Sequence, residues 1–550
     1  MSEQSKKQSF LGGAAILAGA VAVVKVIGAL YKLPLNNILG DVGKTYFQTA
    51  YEIYNVLLTV STAGLPLAIS KLTSQAHARG RENEKRKIFR TAIWLFFALG
   101  LIGSCLMFFG AQGLADFQRN SMAAAPIRAL APAVFCVCLL ACMRGYTQGQ
   151  GNMGPTAVSQ VLEALCKLGV GLPLAWYILK KTQEAGTAAQ LAAGSDGMEN
   201  VAAGAIFGVT VGTILSMVFL ILYLLRHRDN TPSDDVPRSG GYLLRRILAI
   251  GVPITLGNCA MSIITMIDTK IILGRLQSGL GLTEVAASAL KGQYSYAMDM
   301  LNMVASFVYP VTMSLIPFAA AALAQGDKRG ASRTVNSAFR VLALLALPAG
   351  VGLSVLSTPI MVLVLPAQRE GALAAGPHLK ILGIACIFVC LMILTNAILQ
   401  TYGKEHLPIF TVIVGGVVKI VMNYILVGNP NIGINGASWS TLCCYGVIAG
   451  LNLFFVWKYS PRKPHYFRLF ARPVFASALM GLAAWAVCSL VGKLLSGHSA
   501  YGANAIATLC GILAGVAVYG VLVIALGLLR ADDVRNIRGG QKLIRLLHLR

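Results

Sequence analysis

The sequence contains little charge and few acids. Only 12% of its 550 residues are charged and 21 are Asp or Glu, whereas 56% are hydrophobic. Soluble proteins carry about 25% charged residues, so this composition excludes a soluble globular chain. Runs of about 20 apolar residues are long enough to cross a bilayer, and the sequence contains fourteen. We therefore predict an all-α, polytopic membrane protein with fourteen transmembrane helices.

The predicted outer loops lack cysteine and clusters of metal ligands. The cysteines lie in apolar runs instead, as Cys136 and Cys138 do, where cysteine behaves as a small hydrophobe. We therefore expect no disulfides. A membrane glycosyltransferase or polymerase would need catalytic acids or metal ligands at an outer face. The sequence therefore favours a protein that is not an enzyme and that needs no metal or cofactor.

The net charge of +25 raises the alternative of a nucleic-acid partner, but the positions of the basic residues argue against it. Lys and Arg concentrate in alternate segments between the apolar runs, which is the positive-inside pattern of membrane proteins. We predict that both termini are cytoplasmic, that no nucleic acid binds, and that the basic segments attract anionic membrane lipids.

Two patterns recur at similar offsets and indicate an internal duplication. Val137 to Leu140, Gln148 and Lys167 return as Val389 to Met392, Gln400 and Lys419; Glu52, Asn55 and Thr59 return as Asp299, Asn302 and Ser306. Duplicated transporters bind their substrates between the two copies. We predict an N-terminal lobe over 1–228, a cytoplasmic linker over 229–245, a C-terminal lobe over 246–460, and two further helices with a basic tail over 461–550.

The first predicted span carries Lys25, Lys32 and Asn36 on one helical face. A lysine at the membrane centre costs about 2.5–3.5 kcal/mol on insertion scales, so Lys25 should face a wet cavity or a partner. Lys32 has the alternative of extending to the outer surface.

Polar stripes mark three further spans and predict faces that meet protein or water rather than lipid. The second span carries Glu52, Asn55 and Thr59, followed by Gly64 and Pro66, which often mark a bend. The seventh carries a stripe with Asp268 on its flank and Arg275 further towards the outside, and its members are Asn258, Ser262, Thr265 and Thr269. The eighth carries Asp299, Asn302 and Ser306. In a regular helix Lys270 points away from Asp268, so these two pair only if the helix is broken.

Two other patterns concern helix contacts. Glu163 and Lys167 have the favourable i, i+4 order and should largely neutralise each other. The repeat of that lysine, Lys419, has Gly415 in place of the acid. Gly511 and Gly515 have the spacing of a helix-packing face.

Several motifs resemble a known family along the whole chain: QSFLGG, YKLPLNNILGD, STAGLPLAISKL, RGYTQGQGNMGPTAVSQVLE and GGVVKIVMNYIL. The sequence resembles the stage V sporulation protein B group of polysaccharide-biosynthesis proteins, which is related to lipid II flippases of the MurJ type. The resemblance implies the multidrug/oligosaccharidyl-lipid/polysaccharide exporter superfamily and a bacterial cytoplasmic membrane. It also implies two six-helix lobes around a cavity, a groove for a lipid tail formed by the last two helices, and alternating access.

In that family the first helix places arginines in the cavity, where this chain has Lys25 and Lys32. Lysine can hold a diphosphate as a point charge, so these two, with Lys270 and Lys419, are the predicted diphosphate-binding residues. The predicted polar and charged partners are Asn36, Glu52, Asn55, Thr59, Asp268, Arg275, Asp299 and Asn302. Some members of that family bind sodium near the seventh, eleventh and twelfth helices. Lys419 lies in the eleventh span and would repel a cation, so we do not expect a sodium site here.

The leading hypothesis is a monomeric flippase for an undecaprenyl-diphosphate-linked oligosaccharide, with lipid II foremost and another polysaccharide or capsule repeat as an alternative. The spans contain six lysines, Lys25, Lys32, Lys71, Lys167, Lys270 and Lys419, against four acids. That balance suits an anion, and the membrane potential, at about 2.3 kcal/mol per charge and 100 mV, would drive it outward. A multidrug cation antiporter is the other transporter hypothesis, but it calls for an acid-dominated cavity. A scaffold role leaves the buried charges unexplained.

Overall fold

The chain is helical throughout the part of it that the computed structural model describes, which comprises residues 3–184, 197–227, 231–308, 326–460, 462–495 and 500–528. The predicted basic tail over 529–550 lies outside these ranges. The α-helices are α1 (Glu3–Thr62), α2 (Leu65–Ala78), α3 (Glu82–Phe109), α4 (Ala111–Phe117), α5 (Ala124–Gly149), α6 (Gly154–Cys166), α7 (Leu172–Glu184), α8 (Met198–Arg226), α9 (Gly240–Leu280), α10 (Glu284–Ser306), α11 (Lys328–Val355), α12 (Ser357–Val364), α13 (Arg369–Thr401), α14 (His406–Leu426), α15 (Asn435–Tyr459), α16 (Tyr466–Leu494) and α17 (Ala500–Ala525).

The prediction of an all-α, multi-pass membrane protein is confirmed, whereas the count of fourteen spans is not. In the described ranges 11 helices are long and apolar enough to cross a membrane, or 12 if the bent helix α9 counts as one. The first two predicted spans form one element, α1, which is kinked at Gly40 (φ 61°) instead of being interrupted by a loop. Glycine adopts a positive φ without steric cost, so the chain turns there within a single residue. The eighth predicted span begins in α10 and continues into residues 309–325, which are not described.

The chain divides into two compact units, Met1–Gly292 and Gln293–Arg550. In the N-terminal unit α5 is the central helix and packs against α1, α2, α3 and α8. Its side chains are apolar on nearly every face, which is typical of a helix surrounded by other helices. Gly100 of α3 faces Cys138 of α5, and a Cβ atom at Gly100 would lie 3.0 Å from the Cβ of Cys138. The glycine thus permits the close approach of α3 to the central helix.

Helix α9 belongs to the N-terminal unit and packs against α1, α2 and α3. The helix break between Thr62 and Leu65 occurs at the Gly64 and Pro66 pair, which confirms the predicted bend. At this break α2 meets α9: a Cβ atom at Gly64 would lie 2.1 Å from the carbonyl oxygen of Gly251. The Gly64 amide also donates a hydrogen bond to Thr255 Oγ1 at 3.2 Å.

In the C-terminal unit α13 packs against α11, α12 and α15, and α16 pairs with α17. Gly511 of α17 lies against α16, where an added Cβ atom would be 2.9 Å from the carbonyl oxygen of Ala484 and from Cys488 Cβ. Gly515 contacts the same helix, 3.3 Å from Ala484 Cβ by the same measure. The predicted packing face at these two glycines is therefore confirmed.

The duplicated motif has a structural counterpart in each unit. Helix α5 and helix α13 both end in a turn that contains a glycine of positive φ, Gly151 (φ 80°) and Gly403 (φ 70°), and these two glycines are 252 residues apart, as in the sequence repeat. The next helix, α6 or α14, carries a proline within its first turn, Pro155 or Pro408. The same helix–turn–helix element therefore occurs twice.

Candidate functional site

A polar cavity of about 210 Å³ lies within the N-terminal unit, between α1 and α9. Its lining residues are Glu52, Asn55 and Thr59 from α1 and Met261, Ser262 and Thr265 from α9. Thr59 Oγ1 and Ser262 Oγ are hydrogen-bonded at 3.0 Å, so the two helices are joined at the middle of this lining. The structure thus brings together the polar stripes of the second and seventh predicted spans, and the cavity is wide enough for water.

Two charged side chains, Lys291 and Asp268, lie near Glu52 of the cavity lining. Glu52 is 3% exposed; its Oε1 accepts a hydrogen bond from Gln48 Nε2 at 3.0 Å, and its Oε2 has no hydrogen-bond donor among the described residues. Lys291 of α10 and Asp268 of α9 are close enough to interact electrostatically with Glu52. A buried carboxylate is costly unless a cation compensates it. Lys291 offsets part of that cost and part of the repulsion from Asp268.

Sequence reasoning missed two buried lysines, Lys291 and Lys44. Lys291 lies near the start of the eighth predicted span, where a lysine resembles an ordinary interfacial residue, and no spacing relates it to Glu52. Lys44 is 2% exposed and its Nζ donates to Asn36 Oδ1 at 2.9 Å. The kink at Gly40 lies between these two residues, so the regular helical period could not have revealed the contact.

The two lysines of the first predicted span precede the kink on α1. Lys25 is exposed and Lys32 is half-buried, and the two ammonium groups are close enough to repel each other. Neither contributes to the lining of the 210 Å³ cavity.

The remaining predicted site residues lie elsewhere. The ammonium of Lys270 is 3.4 Å from the ring centroid of Phe117, a cation–π contact with α4, and Arg275 is half-buried further along α9. Asp299, Asn302 and Lys419 belong to the C-terminal unit, where Asp299 and Lys419 are buried and Asn302 is exposed.

The predicted pair of Glu163 and Lys167 is confirmed. Lys167 Nζ lies 3.2 Å from Glu163 Oε1, at the start of a π-helical turn over Lys167–Gly171. Arg144, which the sequence did not suggest, approaches the other carboxylate oxygen at 3.4 Å and donates from Nε to Ser159 Oγ at 2.9 Å. The pair is thus part of a cation–acid–cation triad inside the N-terminal unit.

Membrane transporters bind their substrates in polar cavities between membrane-spanning helices, and this chain has such a cavity between α1 and α9. The comparison with known families specifies the class: the model of the polysaccharide biosynthesis protein family matches residues 10–322, and a MatE model matches residues 253–425. The chain belongs to the polysaccharide biosynthesis protein family. It is a multi-pass membrane protein.

Relatives in Bacillus subtilis (strain 168) match nearly end to end. The uncharacterized membrane protein YabM is 26% identical over 544 residues, covering 98% of this chain and 96% of YabM. Stage V sporulation protein B is 23% identical over 540 residues, covering 96% and 98%. Lipid II flippase MurJ is 24% identical over 548 residues, covering 96% and 97%.

Solved structures share the fold. The structure described as lipid II flippase MurJ in an inward closed conformation superposes with a TM-score of 0.65 at 14% identity, covering 93% of this chain and 99% of that one. An inward-facing multidrug resistance MATE family transporter gives a TM-score of 0.60, also at 14% identity, covering 82% and 98%.

Proposed function

We propose that the protein is a flippase that carries an undecaprenyl-diphosphate-linked cell-wall precursor, lipid II foremost, across the cytoplasmic membrane by alternating access. The observation that carries this proposal is the polar, charge-bearing cavity between α1 and α9 in a chain that matches a lipid II flippase over nearly its whole length. The polar groups that line a cavity inside a membrane protein need water or a polar substrate as partners, because polar groups without hydrogen bonds are costly in lipid.

The lysines of the first span provide the anion-binding element in this proposal. Lys25 and Lys32 lie on the same helix, and their charges repel each other. A diphosphate accepts from both ammonium groups and removes that repulsion. Glu52, Asp268 and Lys291 carry a net charge of −1 when the cavity is empty, because one ammonium offsets one of the two carboxylates. Lys270 and Lys419 remain candidates for contact with the same diphosphate.

An apolar groove in the C-terminal unit suits the hydrocarbon part of the substrate. It has a volume of about 410 Å³ and lies among α12, α16 and α17, with a lining that includes Leu356, Pro359, Trp485, Cys488 and Ala507. A polyprenyl chain placed there would remain in contact with apolar atoms while its headgroup crosses the membrane.

A multidrug cation antiporter is the second candidate, and a specific observation favours it. The charged residue that lines the 210 Å³ cavity is an acid, Glu52, and the MatE model covers residues 253–425. An organic cation would be attracted to Glu52 and Asp268, whereas a diphosphate would be attracted to Lys25 and Lys32. The two candidates therefore depend on different side chains of the same unit.

Rescue of a bacterial cell depleted of its lipid II flippase tests the proposal directly. We expect the wild-type chain to restore growth, and purified protein in liposomes to translocate lipid II but not ethidium. Failure to restore growth, combined with transport of a different lipid-linked oligosaccharide in liposomes, would assign another polysaccharide precursor as the substrate. Export of ethidium by the liposomes, with no movement of lipid II, would establish the antiporter instead.

The proposed driving force is the membrane potential, without a coupled sodium ion. Lys419 is a buried cation on α14, so a sodium ion near it would be repelled. We expect translocation in liposomes to continue when sodium is replaced by choline at the same ionic strength and potential. Loss of translocation on that replacement would contradict the proposed driving force but would not change the proposed substrate.

A further inference from the structure

Four arginines line a cleft at the point where three membrane helices of the N-terminal unit end or begin. Arg79 directly follows α2, Arg81 directly precedes α3, Arg238 precedes α9 and Arg246 is in the second turn of α9. Leu72, Ile88 and Leu243 form the apolar floor of the cleft. Because all three helices meet the cleft at their ends, it lies at the level where a membrane helix leaves the hydrocarbon and reaches the lipid headgroups.

One acid faces these four guanidinium groups. Glu84 Oε2 accepts from Arg81 Nη1 at 2.8 Å, and Glu84 Oε1 is 3.9 Å from Arg238 Nε. Glu84 in the lining and Asp235, which interacts electrostatically with Arg81, balance two of the four positive charges, so an excess of two remains. Each guanidinium has five N–H donors, and Glu84 occupies few of them. The cleft therefore presents unused donors together with positive charge, which are the two properties that bind phosphate.

Tyr242 holds two of the arginines in place. Its hydroxyl oxygen accepts hydrogen bonds from Arg238 Nη1 at 3.0 Å and from Arg246 Nη1 at 3.2 Å. The Arg238 guanidinium also lies 5.1 Å from the centroid of the Tyr242 ring. Tyrosine is enriched at the headgroup level of membranes because one end of its ring is apolar and the other polar. The pair of arginines is thus preorganised at that level.

The segment before α9 completes the cleft because Asp235 anchors it to α3. The Asp235 carboxylate accepts hydrogen bonds from the backbone amides of Asn83 and Glu84, each at 2.9 Å, and so caps the N-terminus of α3. Desolvation opposes ionisation, but the hydrogen bonds from Ser233 and from these amides outweigh it and hold the pKa of Asp235 below its ordinary value. Asn83 Nδ2 donates to the Ser233 carbonyl at 2.6 Å, which fixes the same segment. Arg238 is three residues beyond this anchor.

The free volume of the cleft is about 20 Å³, and one water molecule needs roughly 10–15 Å³ by this measure. Phosphate oxygens fit there, but a whole nucleotide or sugar does not. We propose that this cleft binds the phosphate of an anionic lipid headgroup, whose oxygens enter between the guanidinium groups while the glycerol and acyl chains stay outside. The site is separate from the 210 Å³ cavity and does not depend on the cargo.

Lipid titration of the detergent-purified, full-length protein tests the site, with native mass spectrometry reporting bound phosphatidylglycerol and phosphatidylcholine. We expect tighter binding of phosphatidylglycerol, and an affinity about tenfold weaker in Arg246→Gln, since a charge-assisted hydrogen bond contributes about 1.5–3 kcal/mol. Arg245→Gln is the matched control, because Arg245 is the exposed neighbour that does not line the cleft. Arg79→Gln changes a second arginine of the cleft, at an exposed position where folding is not at risk, and should also weaken the binding of phosphatidylglycerol.

If Arg246→Gln and Arg245→Gln lose equal affinity for phosphatidylglycerol, the binding depends only on the general positive charge of this surface, and the proposal is overturned. Equal binding of the two lipids by the wild-type protein, without competition by inorganic phosphate, would also overturn it. If inorganic phosphate raises the unfolding temperature of the wild type but not of Arg246→Gln, and phosphatidylglycerol has no effect, the same cleft takes free phosphate.

Asp235 is a positioning residue in this proposal, and its variants supply an independent readout. Asp235→Ala removes the cap and frees the segment that carries Arg238, so the affinity for phosphatidylglycerol should fall. Asp235→Asn retains one oxygen, which can accept from only one of the two amides that Asp235 Oδ1 and Oδ2 now serve, so it should restore part of the affinity. A cap with a purely structural role would change the unfolding temperature of Asp235→Ala but leave its lipid affinity intact.

Discussion

At the scale of single residues, Glu163 has a cation on each side. Lys167 Nζ is 3.2 Å from one carboxylate oxygen and Arg144 Nη2 is 3.4 Å from the other. Glu163→Gln removes the negative charge and leaves the two cations facing each other where water is scarce. Breaking a buried pair in this way costs about 3–5 kcal/mol. We expect a lower temperature of thermal unfolding for the purified variant and a lower protein level in membranes.

The chain offers a matched control in Glu184, whose carboxylate pairs with Lys180 at 3.8 Å on the surface. Exposed pairs contribute about 0–1 kcal/mol, so Glu184→Gln should unfold near the wild-type temperature. Equal destabilisation of the two variants would show that the buried triad at Glu163 contributes no more to stability than the exposed pair at Glu184.

Substitutions of Lys25 distinguish a substrate-binding role of this lysine from a structural one. If it holds the diphosphate, Lys25→Gln should abolish rescue of the flippase-depleted cell while membrane level and thermal stability stay near those of the wild type. Lys25→Arg should retain function, because the positive charge remains. Its exposed position on α1 makes a large structural cost unexpected. Rescue by Lys25→Gln at the wild-type rate would move the diphosphate site elsewhere, with Lys419 next in order.

Helical spacing predicted those site residues that lie together on one uninterrupted element. Glu52, Asn55 and Thr59 share a stripe, and the structure places all three along one cavity. It could not predict Lys291, because the contact with Glu52 joins helices that are distant in sequence. Nor could it predict Arg144 beside Glu163, since charge balance in a buried triad depends on how α5 and α6 pack.

At the scale of helices, the contact of α2 with α9 depends on Gly64. Its backbone is α-helical (φ −91°, ψ −39°), so alanine is conformationally acceptable there and the obstacle is purely steric. An added Cβ atom would lie 2.1 Å from the Gly251 carbonyl oxygen. We expect Gly64→Ala to push the helices apart at a cost of about 1–3 kcal/mol and to lower both the unfolding temperature and the rate of translocation.

Gly113→Ala is the control, since an added Cβ atom at this α4 residue meets nothing within 4 Å. Alanine favours a helix by about 1 kcal/mol relative to glycine, so this variant should be as stable as the wild type or slightly more so. If both substitutions behave alike, the close contact at Gly64 does not limit the packing.

Hydropathy located most membrane helices, because the energy of burying about 20 apolar residues depends on composition alone. It did not reveal that the first two spans follow each other without a loop, joined at a kink that depends on the positive φ of Gly40. The repeat was more informative at this scale: the sequence offset of 252 residues relates two turns that use a glycine in the same left-handed conformation, Gly151 and Gly403.

At the scale of the whole molecule, the distribution of basic residues predicts that both termini are cytoplasmic. Fusions of a cytoplasm-active and an export-active reporter to the C-terminus measure this directly. We expect only the cytoplasm-active fusion to report. Activity of the export-dependent reporter alone would mean an odd number of spans if the N-terminus is cytoplasmic, and so a miscounted helix.

The contact between Gly64 and Gly251 also bears on the speed of any separation of α2 from α9. Bulky side chains that interlock must change rotamer before two helices can part, and each change adds to the activation barrier. At this point the two glycines have only hydrogen atoms as side chains, so Leu65 and the hydrogen bond from the Gly64 amide to Thr255 Oγ1 are the contacts that have to give way. We expect friction between the helices to be lowest here, so that opening begins at the glycines and reaches the Thr59–Ser262 hydrogen bond afterwards.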